Sequence, residues 1–228
     1  MTLDQATAEQ KLNAALTECR NRNFEKGRDL LEGLIREDPQ NHKAMNALGK
    51  VQVILKDHES AKATFKKAID TRPDFSDAII NLAKVYYDLG EFTDARTYYQ
   101  RMVEYEPKNA EGHFGLANVY RKQQLFKDAI RSYNDALELN AKDAQAYINL
   151  GLCHLKTDND HDAIYNFQMA LELGGDNRKA FMNLAFALER QNRFPEAAIN
   201  WERFIDMNPK GEELDRAIEH LALCKSKF

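Results

Sequence analysis

The 228-residue chain carries 32 Lys and Arg against 36 Asp and Glu, a formal charge of −4 with the two signs interleaved along its length. Few glycines and prolines and a scarcity of valine beside alanine exclude collagen-like, linker-like and sheet-dominated chains. The absence of a basic block argues against nucleic acid, and the longest uncharged stretch, Ala144 to Leu155, is too short to span a bilayer.

Reading from the N-terminus, Met1-Thr-Leu-Asp-Gln5 lacks the basic and apolar segments of a secretory signal. Cys19, Cys153 and Cys224 form no CxxC pair, so free thiols and a cytoplasmic location are expected. Pro39, Pro73 and Pro107 lie 34 residues apart, and Pro209 falls on the same series; only Pro195 is out of phase. This period resolves the chain into an N-terminal tail 1–7, six units 8–41, 42–75, 76–109, 110–143, 144–177 and 178–211, and a closing helix in 212–228.

The same offsets recur in each unit. Position 8 is small throughout (Ala15, Gly49, Ala83, Ala117, Gly151, Ala185), as is position 20 (Gly27, Ala61, Ala95, Ala129, Ala163, Ala197). Position 24 is large: Leu31, Phe65, Tyr99, Tyr133, Phe167 and Trp201. Positions 4, 7, 8 and 11 form one stripe at helical period and 20, 24 and 27 a second, with a polar turn such as Asp88-Leu-Gly-Glu91 between them. Each unit therefore predicts two antiparallel helices, A and B, that approach closely at the small residues.

The first unit has Lys11 and Glu18 where inner units are mostly apolar or aromatic, as a terminal unit facing solvent requires. The fifth departs from the others: Asp160 replaces the usual Phe at position 17, and Gly174-Gly175 closes the unit without proline, predicting its most deformable junction. Beyond the sixth, Glu213 to Lys225 predicts a capping helix with Leu214, Ala217, Ile218 and Leu221 inward and Asp215, Arg216 and Glu219 outward, which gives the array the look of a complete one.

The pattern resembles the tetratricopeptide repeat, most closely at Asn81-Leu-Ala-Lys-Val-Tyr86, Asn149-Leu-Gly151 and Phe126-Lys-Asp-Ala129. The resemblance covers residues 8 to 211 and implies an all-α, right-handed α-solenoid of antiparallel helix pairs, with helix A lining a concave groove. It implies protein–protein interaction and leaves the partner open.

Catalytic chemistry has little to work with, and no catalytic, cofactor-binding or metal-binding residue is expected. His154, Asp158 and His161 cluster in sequence, but His154 sits at a packing position. Asp158-Asn-Asp160-His-Asp162 opens like a calcium loop and then lacks its Gly and Glu, having Ala163 and Met169 there.

The groove is the better candidate. Positions 2, 6, 9 and 13 share one face of helix A. Position 6 holds Asn13, Asn81, Asn149 and Asn183, amides suited to a peptide backbone or to bonds within the array. A similar ladder lines the repeats of the O-linked N-acetylglucosamine transferase, of which no catalytic domain is present here. The face carries Arg20, Lys43, Lys50, Lys84, Lys122, Lys156, Lys179 and Arg190 against Glu9, Asp77, Asp88 and Glu111, favouring an acidic ligand or a free C-terminal carboxylate if it is more than solvated surface. Asn118, Leu152 and Phe186 at position 9 complete the expected contact set. Phe114, Ile148 and Met182, with Leu152 and Phe186, form either a late apolar stripe or core. The two-carboxylate clamp of heat-shock co-chaperones does not fit, because Leu12 and Leu16 stand where it needs Lys and Asn. A non-enzymatic adaptor for an extended or helical segment is the leading expectation; a scaffold self-assembling through a terminal repeat is the alternative, and a metal or enzymatic accessory role the third.

Overall fold

Small residues opposite large ones decide how these helices pair. The computed structural model describes residues 4–227, and every regular element among them is a helix. One unit, up to Pro107, holds α1 (Gln5–Arg20), α2 (Phe24–Glu37), α3 (His42–Ile54), α4 (His58–Thr71), α5 (Ser76–Asp88) and α6 (Phe92–Tyr105). The other, from Lys108, holds α7 (Ala110–Lys122), α8 (Phe126–Leu139), α9 (Ala144–Lys156), α10 (Asp160–Glu172), α11 (Asn177–Arg190), α12 (Phe194–Asp206) and α13 (Glu212–Lys225). The even-numbered helices α2 to α12 begin at Phe24, His58, Phe92, Phe126, Asp160 and Phe194, each 34 residues after the last.

Within each unit an odd-numbered helix packs on the even-numbered one that follows, and that helix packs on the next odd one. Ala15, Ala83, Ala117 and Ala185 are fully buried, as are Ala61, Ala95, Ala129, Ala163 and Ala197. Phe65, Tyr133, Phe167 and Trp201 fill the adjoining space with 1% exposure or less, each burial contributing about 1.5–3 kcal/mol. Gly49 and Gly151 have a specific cause: a Cβ there would lie 2.5 Å from the Phe65 ring and 2.6 Å from the Phe167 ring.

Among the odd-numbered helices, α3, α7, α9 and α11 start on side-chain caps. Asn41, Asn109, Asp143 and Asp176 accept from the backbone N–H of Ala44, Gly112, Ala146 and Lys179, satisfying a donor that has no partner within the helix. Each helix pair then turns on a left-handed residue: Arg22, Lys56, Gly90, Gln124, Asp158 and Asn192 all have φ between 56° and 79°. Only one of the six is glycine, the residue that adopts this conformation without steric cost.

The even-numbered helices end in two ways. After α2, α4, α6 and α8 the capping residues Asp38, Arg72, Glu106 and Asn140 are extended, with φ from −129° to −141°. In α10 and α12 the chain leaves through left-handed Gly174 and Asn208 instead. The second glycine of the Gly174-Gly175 pair is required by packing, since a Cβ on Gly175 would lie 2.5 Å from the Ala144 Cβ.

Two expectations need correction. The segment 1–7 is not wholly a tail: α1 begins at Gln5, capped by Asp4, which accepts from the Thr7 N–H at 3.0 Å. Residues 1–3 lie outside the described residues. In α13, Ile218 is 51% exposed rather than inward, while Ala217 and Cys224 are fully buried. His220 takes the inward place, stacked on Trp201 at 5.1 Å with its Nδ1 2.9 Å from Glu189 Oε2. Glu189 also accepts from the Trp201 indole N–H, so a largely buried carboxylate ties α13 to α11 and α12. A polar inward residue fits because its hydrogen-bond partner is built beside it.

Candidate partner-binding site

The expected contact residues divide by what their side chains touch. Asn13, Lys50, Lys84, Lys122, Lys156 and Arg190 are exposed on the odd-numbered helices, and Asn118, Leu152, Asn183 and Phe186 are half-buried. The amides are largely engaged with the chain itself. Asn81 Nδ2 donates to Asn46 Oδ1 at 3.0 Å, linking α5 to α3. Asn149, only 7% exposed, donates to Asn118 Oδ1 at 3.1 Å and accepts from Gln145, linking α9 to α7. Asn118 Oδ1 also accepts from the Tyr133 hydroxyl at 2.7 Å, and Asn183 donates to the Lys179 carbonyl at 2.8 Å. Position 6 of the inner units therefore faces the neighbouring helix, where a buried amide must be hydrogen-bonded.

The late apolar stripe is mostly core. Ile148 is fully buried, Phe114 meets the Tyr133 ring edge-on at 5.9 Å, and Phe186 is covered by Trp201 at 4.9 Å and His220 at 4.7 Å. Leu152 lines a pocket of about 460 Å³ with Phe126, Arg121, Lys122, Gln124 and Lys156.

An apolar opening lies instead in the first unit, on the face formed by α1, α3 and the start of α5. This pocket of about 480 Å³ is floored by Leu12, Leu16, Cys19, Phe24, Ala47, Val51, Ile54 and Phe75. Arg20, Lys43, Lys50 and Asn46 stand on its rim, with Asp77 the one carboxylate among the described residues that line it. Leu12 and Leu16 are the two residues that break the co-chaperone clamp. Sequence reasoning treated them as an exclusion and missed that a leucine on successive turns of α1, opposite Ala47 and Val51 on α3, leaves an apolar depression.

The cations of this rim are among those that make no ion pair among the described residues. Lys11, Lys26, Arg28, Lys62 and Arg72 in the same unit each reach a carboxylate within 4 Å. Arg20, Lys43 and Lys50 have no ion-pair partner among the described residues. In the second unit Arg190 is held by Asp158 at 2.7 Å and Asp160 at 2.9 Å, and Lys179 by Asp176 at 3.1 Å; Lys122 and Lys156 have no such partner among the described residues. The Arg190 pairs also explain Asp160 at a position where phenylalanine is usual, because its buried carboxylate is bonded to Arg190 and Gln191.

Cys19 borders the pocket, and partial burial raises its thiol pKa. Burial pushes the Cys153 thiol up to about 11. Cys224 reaches about 12, through burial first and then the Glu189 carboxylate. His154 is half-buried, which lowers its pKa, with nearby Asp162 opposing the shift. His161 is exposed, and Asp158 is engaged by Arg190. Among the described residues no three His, Cys, Asp or Glu side chains are grouped to hold a metal ion, and no helix is long and apolar enough to cross a membrane.

Two family models, both described as tetratricopeptide repeat, match the chain: one over residues 52–113, the other over 12–74 and 114–178. A comparison with curated protein sequences gives no match. Among solved structures, PilF of Pseudomonas aeruginosa is 15% identical, with 92% of this chain and 95% of that one covered at a TM-score of 0.78. YrrB, described as a TPR protein with an unusual peptide-binding site, is 21% identical over 75% of this chain and 88% of that one, with a TM-score of 0.65. MamA from Desulfovibrio magneticus RS-1 is 19% identical over 76% of this chain and 97% of its own, at 0.69. At these identities the likeness is one of fold.

Proposed function

The chain belongs to the tetratricopeptide repeat family, and from that premise we propose that it is a non-enzymatic, cytoplasmic adaptor that takes an acidic, apolar segment of another protein. The carrying observation is the first-unit pocket, where an apolar floor adjoins three cations without carboxylate partners. Apolar side chains entering the floor supply affinity, and carboxylates meeting Arg20, Lys43 and Lys50 supply orientation and association rate. The free thiols Cys19, Cys153 and Cys224 accord with a reducing compartment. The repeat division 8–41 to 178–211, with a capping helix in 212–228, is part of the same reading.

The segment is extended or helical, and its free C-terminal carboxylate is one source of the charge that the rim would meet. Direct contact would fall to Asn13, Lys50 and Lys84 for a segment on the first unit, and to Lys122, Leu152 and Lys156 for a segment on the second. Asn81, Asn118 and Asn149 set the spacing of adjacent helices, while Asn183, Phe186 and Arg190 border the face. Hydrogen bonds worth about 0.5–1.5 kcal/mol each, with burial of a few apolar side chains, predict a Kd of about micromolar order.

The test is fluorescence anisotropy with labelled peptides that carry leucines beside glutamates. The wild type is expected to bind more weakly as salt rises, and Arg20→Glu with Lys50→Glu to lose about tenfold or more in affinity. Equal binding of a lysine-substituted control peptide would contradict the charge assignment.

A further inference from the structure

Ile218, a large apolar residue of α13, is exposed. The inner face of α13 is fixed by Ala217, Cys224 and the stack of His220 on Trp201. On the opposite face Asp215, Ile218, Glu219, Ala222 and Leu223 follow one another at i, i+3, i+4, i+7 and i+8, a single helical surface. Ile218 is 51% and Leu223 46% exposed.

The charges on this helix are sorted as well. Glu212 pairs with Arg216, Glu213 with Arg178, and Lys225 with Glu202. Asp215 and Glu219 have no ion-pair partner among the described residues. Exposed apolar side chains beside two carboxylates without an ion-pair partner among the described residues thus complement the first-unit pocket, which has an apolar floor under Arg20, Lys43 and Lys50, likewise without one.

We infer that the outward face of α13 of one molecule docks in the first-unit pocket of a second molecule, with Ile218 and Leu223 on the apolar floor and Asp215 and Glu219 against the basic rim. The inference rests on the pocket being a binding site, as proposed above, and commits it to a second copy of this chain as an occupant. Such a contact is heterologous: each molecule in a pair retains one open pocket and one free helix face, so addition continues until a ring closes or a filament runs on. An acidic partner segment competes for the same pocket, so binding of the partner releases the copies from one another.

Sedimentation velocity of the full chain in low salt tests this. The wild type is expected to gain mass as concentration rises from about micromolar to about a hundred micromolar, and added salt to reverse the gain. Ile218→Asp with Leu223→Asp removes the helix face, and Arg20→Glu with Lys50→Glu removes the pocket; all four side chains are exposed, and circular dichroism checks that the helices remain. Each double variant alone is expected to stay monomeric, and their mixture to form a one-to-one pair and nothing larger. As a milder probe, Glu219→Lys is expected to raise the half-association concentration about tenfold and to be rescued by mixing with Lys50→Glu. A wild type that stays monomeric at every concentration, or helix-face variants that associate like the wild type, would overturn the inference. A monomeric wild type that still binds acidic peptide sinks self-docking alone, whereas failure of both sinks the pocket as a binding site.

Discussion

Gly151 stands against the face of Phe167, where a single added carbon would lie 2.6 Å from the ring. Alanine is the better helix former by about 1 kcal/mol, while overpacking a filled core costs about 1–3 kcal/mol. The packing term wins, so Gly151→Ala should lower the urea midpoint; a raised midpoint would mean that the ring relocates freely. His154 gives a pH prediction. Its Nδ1 is buried without a hydrogen-bond partner, and burial lowers its pKa below 6.5. A depressed folded pKa contributes stability that is complete above about 6.5 and lost as pH falls toward the folded value. The melting temperature should therefore drop between about pH 7.5 and about pH 5.5, and less so in His154→Gln. Equal drops in both proteins would remove His154 from the account.

The left-handed turn residue is the principal feature of the helical elements that the sequence did not disclose. Gly90 signals such a turn, but Arg22, Lys56 and Gln124 have no turn preference and hold φ near +60° because the helices on either side fix it. Gln124→Gly should consequently be neutral or stabilising by up to about 1 kcal/mol in chemical denaturation, where glycine usually destabilises. A clear loss of stability would show that the Gln124 side chain contributes more than its strained backbone costs. The helix pairing, by contrast, was legible, because the small residues at positions 8 and 20 and the large ones at 24 recur on a 34-residue frame. The site was legible in part. Cations at positions 9 and 13 fell on the exposed face, but the position 6 amides of Asn81 and Asn149 turned toward neighbouring helices. Helical period alone does not say where a groove ends and a helix–helix contact begins. Ile218 was misplaced for a related reason: hydrophobicity assigned it inward, whereas the aromatic stack and carboxylate awaiting His220 decided the rotation of α13.

For the whole molecule, the family and the helix pairs place it among interaction scaffolds, and the unpaired charges give that general role a particular chemistry. Five cations in the first unit reach carboxylates, whereas Arg20, Lys43 and Lys50 around the apolar pocket have no ion-pair partner among the described residues, so on the proposed reading an acidic partner meets uncompensated charge at the pocket. Its location differs from the late stripe that the sequence suggested, because Ile148 and Phe186 are used to pack their own unit. Cys19 offers a direct report on this pocket, since it borders the pocket while Cys153 and Cys224 are buried. The most direct measurement is the alkylation rate of Cys19 in the native protein, at mildly alkaline pH, with and without an acidic leucine-containing peptide. Cys19 should react before the other two thiols, and saturating peptide should slow it about tenfold or more. Peptide that binds while leaving the Cys19 rate unchanged would place the site elsewhere and contradict the account.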